Sequence, residues 1–163
     1  MQKRTRSLAI WLSTSAWLLS LALPAPAIVW CHDYSMWRAT SEDANNTSPA
    51  TLRSRLELLK YKRFSFTNAA RMPQAQAKLK PGDVVIFGDA HSGVVNDRGL
   101  IDHFVQKFGA SGTRYRPEEI LTMENFHRDW TLLDILDFKR TGPQGNEIFP
   151  YRDAEVEVWR RVN

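Results

Sequence analysis

Lys80-Pro81-Gly82-Asp83-Val84-Val85-Ile86-Phe87-Gly88-Asp89-Ala90-His91-Ser92-Gly93-Val94-Val95-Asn96-Asp97-Arg98-Gly99-Leu100-Ile101-Asp102-His103 is the stretch that decides the fold. Pro-Gly-Asp at 81–83 is a turn signal, so Val84 to Phe87 begins fresh as a short buried strand. Gly88-Asp89-Ala90 turns the chain again. His91 to Asn96 and Leu100 to Gln106 then read as the arms of a hairpin around Asp97-Arg98-Gly99. Loop length sets which face each side chain takes. A two-residue turn would put His91 opposite position 104 and send His103 to the other face. A three-residue loop pairs 93 with 103, and His91 and His103 then share a face as diagonal neighbours. Gly99 stands where such a loop needs a left-handed residue, so the three-residue form is expected.

Outward from this hairpin, the rest of the chain reads as helices first and a late helix and strand. Trp30 to Ala39 is a short helix, with Trp30, Tyr34 and Trp37 on one apolar stripe and Cys31, Ser35 and Arg38 beside it. Thr40 to Thr47 is polar and reads as a loop. Ser48-Pro49 starts a second helix through Leu52, Leu56 and Leu59. The basic run Lys60, Lys62 and Arg63 reads as its solvated C-terminal end. Pro117-Glu118-Glu119 opens a short helix. Thr131-x-x-Asp134 caps another, running through Phe138 to a stop at Gly142-Pro143. Glu155-Val156-Glu157-Val158 alternates as a final strand, its glutamates and Arg160 expected to face solvent. The whole is an α+β layout with a mainly antiparallel sheet.

The first 27 residues stand apart. Lys3, Arg4 and Arg6 are followed by a mostly apolar run from Leu8 to Leu23 and by Ala25-Pro26-Ala27. That is the three-part pattern of a secretory signal peptide, expected to be cleaved near Ile28. The alternative is an uncleaved membrane anchor, but the apolar run is shorter than the roughly 20 residues of a spanning helix, so cleavage is favoured and no stable membrane insertion is expected after it. Of 22 basic residues three lie in this leader, and all 18 acidic ones lie after it. The domain from 28 to 163 is therefore nearly neutral, which argues against a nucleic-acid partner. A domain of that size buries a core without staples. Its one cysteine, Cys31, has no partner for an internal disulfide and reads as a reactive thiol. The residues before it do not resemble the Leu-Ala-Gly of lipoprotein signals.

Leu79-Lys80-Pro81-Gly82-Asp83-Val84-Val85-Ile86-Phe87 and His91-Ser92-Gly93-Val94-Val95 resemble the core strands of NlpC-like peptidases and of the related CHAP amidases. The resemblance implies a papain-like α+β fold, with N-terminal helices packed on a small sheet. It implies a Cys-His-His triad: Cys31 as nucleophile, His91 as base and His103 as the group that orients His91. It implies hydrolysis of amide or peptide bonds in peptidoglycan stem peptides; the export signal implies a periplasmic or extracellular place of work, and no cofactor or metal is expected. A thiolate is the attacking species, and a helix N-terminus and a neighbouring imidazolium would both favour it.

Other readings stay open. A CHAP-type amidase usually has a different third residue. Trp30-Cys31-His32-Asp33 stands where the family usually has Asp-Cys-Ser-Gly, so an inactive relative that binds wall fragments or a partner protein is the alternative of another class. Zinc held by Cys31, His91 and His103 is the poorer reading, because no close-spaced ligand pair is present. His32 points away from a helix neighbour. His127 reads as a surface histidine and Tyr34 as a core aromatic. The glycines at 109 and 112 lack a phosphate-loop context. A monomer is expected.

Overall fold

The computed structural model describes residues 30–41, 44, 46–66, 73–105 and 115–162. The leader at 1–27 lies outside the described residues, as do Gln106, Gly109 and Gly112. The helices are α1 (Cys31–Thr40), α2 (Pro49–Leu58), α3 (Pro73–Ala77), α4 (Pro117–Ile120) and α5 (Leu132–Leu136). The strands are β1 (Tyr61–Ser65), β2 (Val84–Phe87), β3 (His91–Val95), β4 (Ile101–Phe104), β5 (Phe126–Trp130), β6 (Arg140–Thr141), β7 (Glu147–Ile148) and β8 (Val156–Arg161). Six strands form one sheet in the order β1-β8-β2-β3-β4-β5, every neighbouring pair antiparallel. The protein is thus α+β with a mainly antiparallel sheet. Among the described residues no helix is long and apolar enough to cross a membrane.

The central hairpin has the three-residue loop. The Asn96 N–H donates to Leu100 O at 2.7 Å, and Gly99 takes a φ of 74°. Asn96 Oδ1 accepts from the N–H groups of Arg98 and Leu100, which holds the loop shut. Gly93 therefore pairs with His103, and Val95 with Ile101. Upstream, Asp83 anchors the turn into β2: its carboxylate accepts from the Lys80 N–H and from Arg160, and it is almost fully buried.

Strand alternation splits the core in two. Val84, Ile86, Val94, Phe104 and Trp159 face α1 and α2, packing with Tyr34, Leu52 and Leu56. Val85, Phe87, Val95, Ile101, Val156 and Val158 face the other way, under Leu132, Ile135 and Tyr151. Tyr34 is a core aromatic, 1% exposed. Ser48 caps α2 through the Thr51 N–H, with Pro49 in the first turn, and Thr131 and Asp134 form the capping box of α5.

Three expectations need correction, and one strand has to be added. The run at Lys60, Lys62 and Arg63 is not a helix end: α2 stops at Leu58, Lys60 turns through a φ of 63°, and Tyr61–Ser65 is the edge strand β1. Lysines and arginines suit such an edge, where they discourage pairing with another chain. Helix α5 ends at Leu136, so Phe138 lies beyond it, and Gly142-Pro143 belong to the turn between β6 and β7. Phe126–Trp130, not singled out in the sequence, is the edge strand β5. In β8 the period of two holds, but Glu157 does not face solvent. The strand lies between β1 and β2 with both faces covered, leaving Glu157 5% exposed. Its charge is met by Arg53 Nε, at 3.1 and 3.2 Å from the two carboxylate oxygens, and by Trp159 Nε1 at 2.9 Å.

Candidate functional site

His91 opens β3 and His103 stands on β4, opposite Gly93. Both rings point to the same face of the sheet, as the loop length requires. His91 Nε2 lies 2.8 Å from His103 Nδ1, a hydrogen bond between two buried rings set almost perpendicular at 83°. Gly93 makes this approach possible. A Cβ there would sit 2.6 Å from Ile101 Cγ2, 2.9 Å from Asp102 O and 3.1 Å from His103 Cβ.

Cys31 is the first residue of α1, and it keeps part of its surface open. Asp33 secures this helix end by accepting from the Trp30 N–H at 3.1 Å and the Thr47 N–H at 2.7 Å. Ser92, the neighbour of His91, points to the opposite face and ties α1 down. Its Oγ donates to Cys31 O at 3.2 Å and lies 2.9 Å from His32 Nδ1 and 2.8 Å from Ser35 Oγ. This buried polar knot fixes Cys31 next to the start of β3. His32 thus has a positioning contact rather than a place beside His91 and His103. Among the described residues, no hydrogen bond joins the Cys31 sulfur to either of those histidines.

Burial disfavours the charged form of each group in the site. Burial pushes the Cys31 thiol up to about 11, although N–H groups of Ser92, His32 and Cys31 itself pull the other way. Desolvation thus acts against the helix end, which favours a thiolate. Burial holds His91 well below the usual imidazole range, and the neighbouring histidines His103, His32 and His127 act in the same direction. His103 is pushed down to about 3, by burial first and by His127 second.

Aromatic rings wall the histidine pair. Tyr151 stacks on His91 at 4.6 Å and 18°, and Phe138 stacks behind Tyr151 at 6.1 Å. Burial raises the Tyr151 phenol to about 12. On the far side His127 and Trp130 pack on His103, at 5.1 and 4.8 Å between ring centres. His127 is therefore a half-buried member of this cluster and not a plain surface residue. Burial lowers its pKa as well.

A β-bulge brings those last two rings together. His103 pairs with His127 and Ile101 with Trp130, so Arg128 and Asp129 together oppose Asp102. In a regular strand His127 and Trp130, three apart, would face opposite sides. The extra residue reverses the parity, and both turn toward His103. Asp129 takes a φ of 62° to make the bulge. Its N–H donates to Asp102 Oδ1 at 3.1 Å, and Asn96 Nδ2 donates to both carboxylates. Arg98 pairs with the other Asp129 oxygen. The sequence carries no parity signal for such a bulge and so does not place His127 and Trp130 beside His103, while Tyr151 reaches His91 from a turn far along the chain. No cluster of three or more His, Cys, Asp or Glu among the described residues has the geometry to hold a metal ion.

Comparison with protein-family models, with curated proteins and with solved structures finds no match.

Proposed function

We propose that the chain is an exported cysteine hydrolase of the papain-like, NlpC-like kind, which cleaves amide or peptide bonds in peptidoglycan stem peptides. The observation that carries this reading is the 2.8 Å bond between His91 Nε2 and His103 Nδ1, beside the helix start that presents the chain's one cysteine. That bond leaves Nδ1 of His91 as the nitrogen to serve the thiol. In the proposed reaction His91 takes the Cys31 proton as sulfur attacks the carbonyl carbon. The N–H groups in the first turn of α1 face the oxyanion. The tetrahedral adduct collapses to a thioester, His91 protonates the departing amine, and water then releases the acyl group. His103 holds the His91 ring. Residues 1–27 would direct the chain out of the cytoplasm, and its work would be periplasmic or extracellular.

A second reading has its own support. A thiol raised by desolvation and without a hydrogen bond to His91 suits an inactive relative that binds wall fragments or a partner protein. Iodoacetamide labelling at neutral pH separates the two. The hydrolase reading expects His91→Ala to slow Cys31 alkylation by about tenfold or more, as general-base catalysis allows. It also expects new products in mass spectra of muropeptides, absent with Cys31→Ser. Unchanged labelling in His91→Ala, together with intact muropeptides, would leave the binding role. A cut at the sugar–peptide amide would indicate CHAP-type amidase specificity instead.

A further inference from the structure

Nε2 of His103 is buried and has no hydrogen-bond partner. The other nitrogen of the ring is taken by His91, and the remaining rings packed on His103 are those of Trp130 and His127. The His103 and Trp130 planes stand at 68°, an edge-to-face arrangement. We propose that Trp130 is a positioning residue: its ring, turned inward by the bulge at Arg128-Asp129, accepts the N–H of His103 Nε2 and so sets the proton order of the whole histidine pair.

An aromatic face carries negative charge density. It attracts an N–H edge and repels a nitrogen lone pair. A neutral imidazole has one proton, so a proton on Nε2 of His103 leaves Nδ1 bare. That bare nitrogen accepts from His91, which must then carry its own proton on Nε2. Nδ1 of His91 is left with a free lone pair. The opposite order would bury a bare Nε2 against ring faces and put a proton on His91 Nδ1. A base must have the free lone pair, so only the first order readies His91 to receive a proton from Cys31.

The bulge explains why the device needs the tertiary fold. Without the extra residue in β5, Trp130 would leave the face that His103 occupies. Asn96, Asp102, Asp129 and Arg98 lie on the far end of the same hairpin and hold the bulge in place. None of them touches the histidine pair in any described hydrogen bond. Their effect on His103 would pass through the position of Trp130.

The part of this inference that concerns protons is independent of activity; the part that concerns readiness for Cys31 rests on the hydrolase reading. The test is a long-range nitrogen–proton correlation spectrum of the ¹⁵N-labelled full chain above pH 7, with each histidine assigned by its Gln variant. The expected result is that His91 and His103 both carry their proton on Nε2. Trp130→Phe, which keeps a ring face, should preserve that pattern. Trp130→Leu should shift His103 toward the Nδ1-protonated form by about threefold or more, the scale of an N–H contact to a ring. A wild-type His103 protonated on Nδ1 overturns the proposal whether or not Trp130→Leu folds. An unchanged pattern in a folded Trp130→Leu overturns the role of Trp130. If the protons lie as expected but muropeptides are not cleaved, the hydrolase reading fails alone. If muropeptides are cleaved and the protons lie the other way, the inference fails alone.

Discussion

Gly93 carries no side chain, and that absence is what lets the two histidines approach. It lies directly opposite His103, and the nearest atoms around its missing Cβ are backbone and branched side chain rather than flexible chain ends. Ile101 is fully buried and Asp102 O is part of the strand, so neither can yield cheaply. Gly93→Ala should therefore push β3 and β4 apart locally and lengthen the His91–His103 bond. The expected loss is about 1–3 kcal/mol of stability, the usual cost of overpacking a filled interior. Urea denaturation with unchanged slope would read it. A variant as stable as the parent would show that the two strands separate more easily than their packing suggests.

At the scale of elements, Arg53 on α2 joins three parts of the fold. It meets Glu157 on β8, Asp89 at 2.8 Å and Gly88 O at 2.8 Å, the last two in the turn that leads into His91. Asp89 is exposed, and that contact contributes little. Glu157 is different, because its carboxylate is almost wholly inside. Arg53→Met keeps the stem but leaves that charge without its guanidinium. Trp159 Nε1 remains as a donor, and Arg63 approaches only to 4.0 Å. A loss of about 3–5 kcal/mol is expected for a buried charge that loses its partner. The double variant Arg53→Met, Glu157→Gln should recover a good part of it, and a denaturation cycle over the four proteins measures the coupling. If the single and double variants lose the same amount, the pair is not coupled and the cost lies in packing.

For the molecule as a whole, the histidines predict sensitivity to acid. His32, His91, His103 and His127 all have pKa values lowered in the fold, burial being the leading cause for each. An unfolded imidazole titrates near 6.5, so below that pH the unfolded chain binds protons that the folded chain refuses. The stabilisation is complete above 6.5 and is lost as pH falls from there toward about 3, the value for His103. Each histidine still neutral in the fold contributes a slope of about 1.4 kcal/mol per pH unit in that window. Denaturation midpoints at pH 7, 6 and 5 should fall steadily. The His103→Phe variant should fall less steeply even if its starting stability is lower. Equal slopes would place the acid response elsewhere.

Much of the plan can be read from local patterns. The turn at 81–83, the capping residues Ser48, Thr131 and Asp134, and the three-residue loop ending at Gly99 each act over a few residues. Because strand alternation is strict, the loop length alone dictated that His91 and His103 share a face. What lay beyond reach depends on residues far apart in the chain. Whether Glu157 meets water or Arg53 depends on β8 lying between β1 and β2, with α2 folded over it. Whether His127 and Trp130 flank His103 depends on one extra residue in an edge strand, which no alternation of apolar residues announces. The pKa of Cys31 is the clearest case: a helix start favours a thiolate, but desolvation is set by everything packed around the sulfur, and it pulls the thiol the other way.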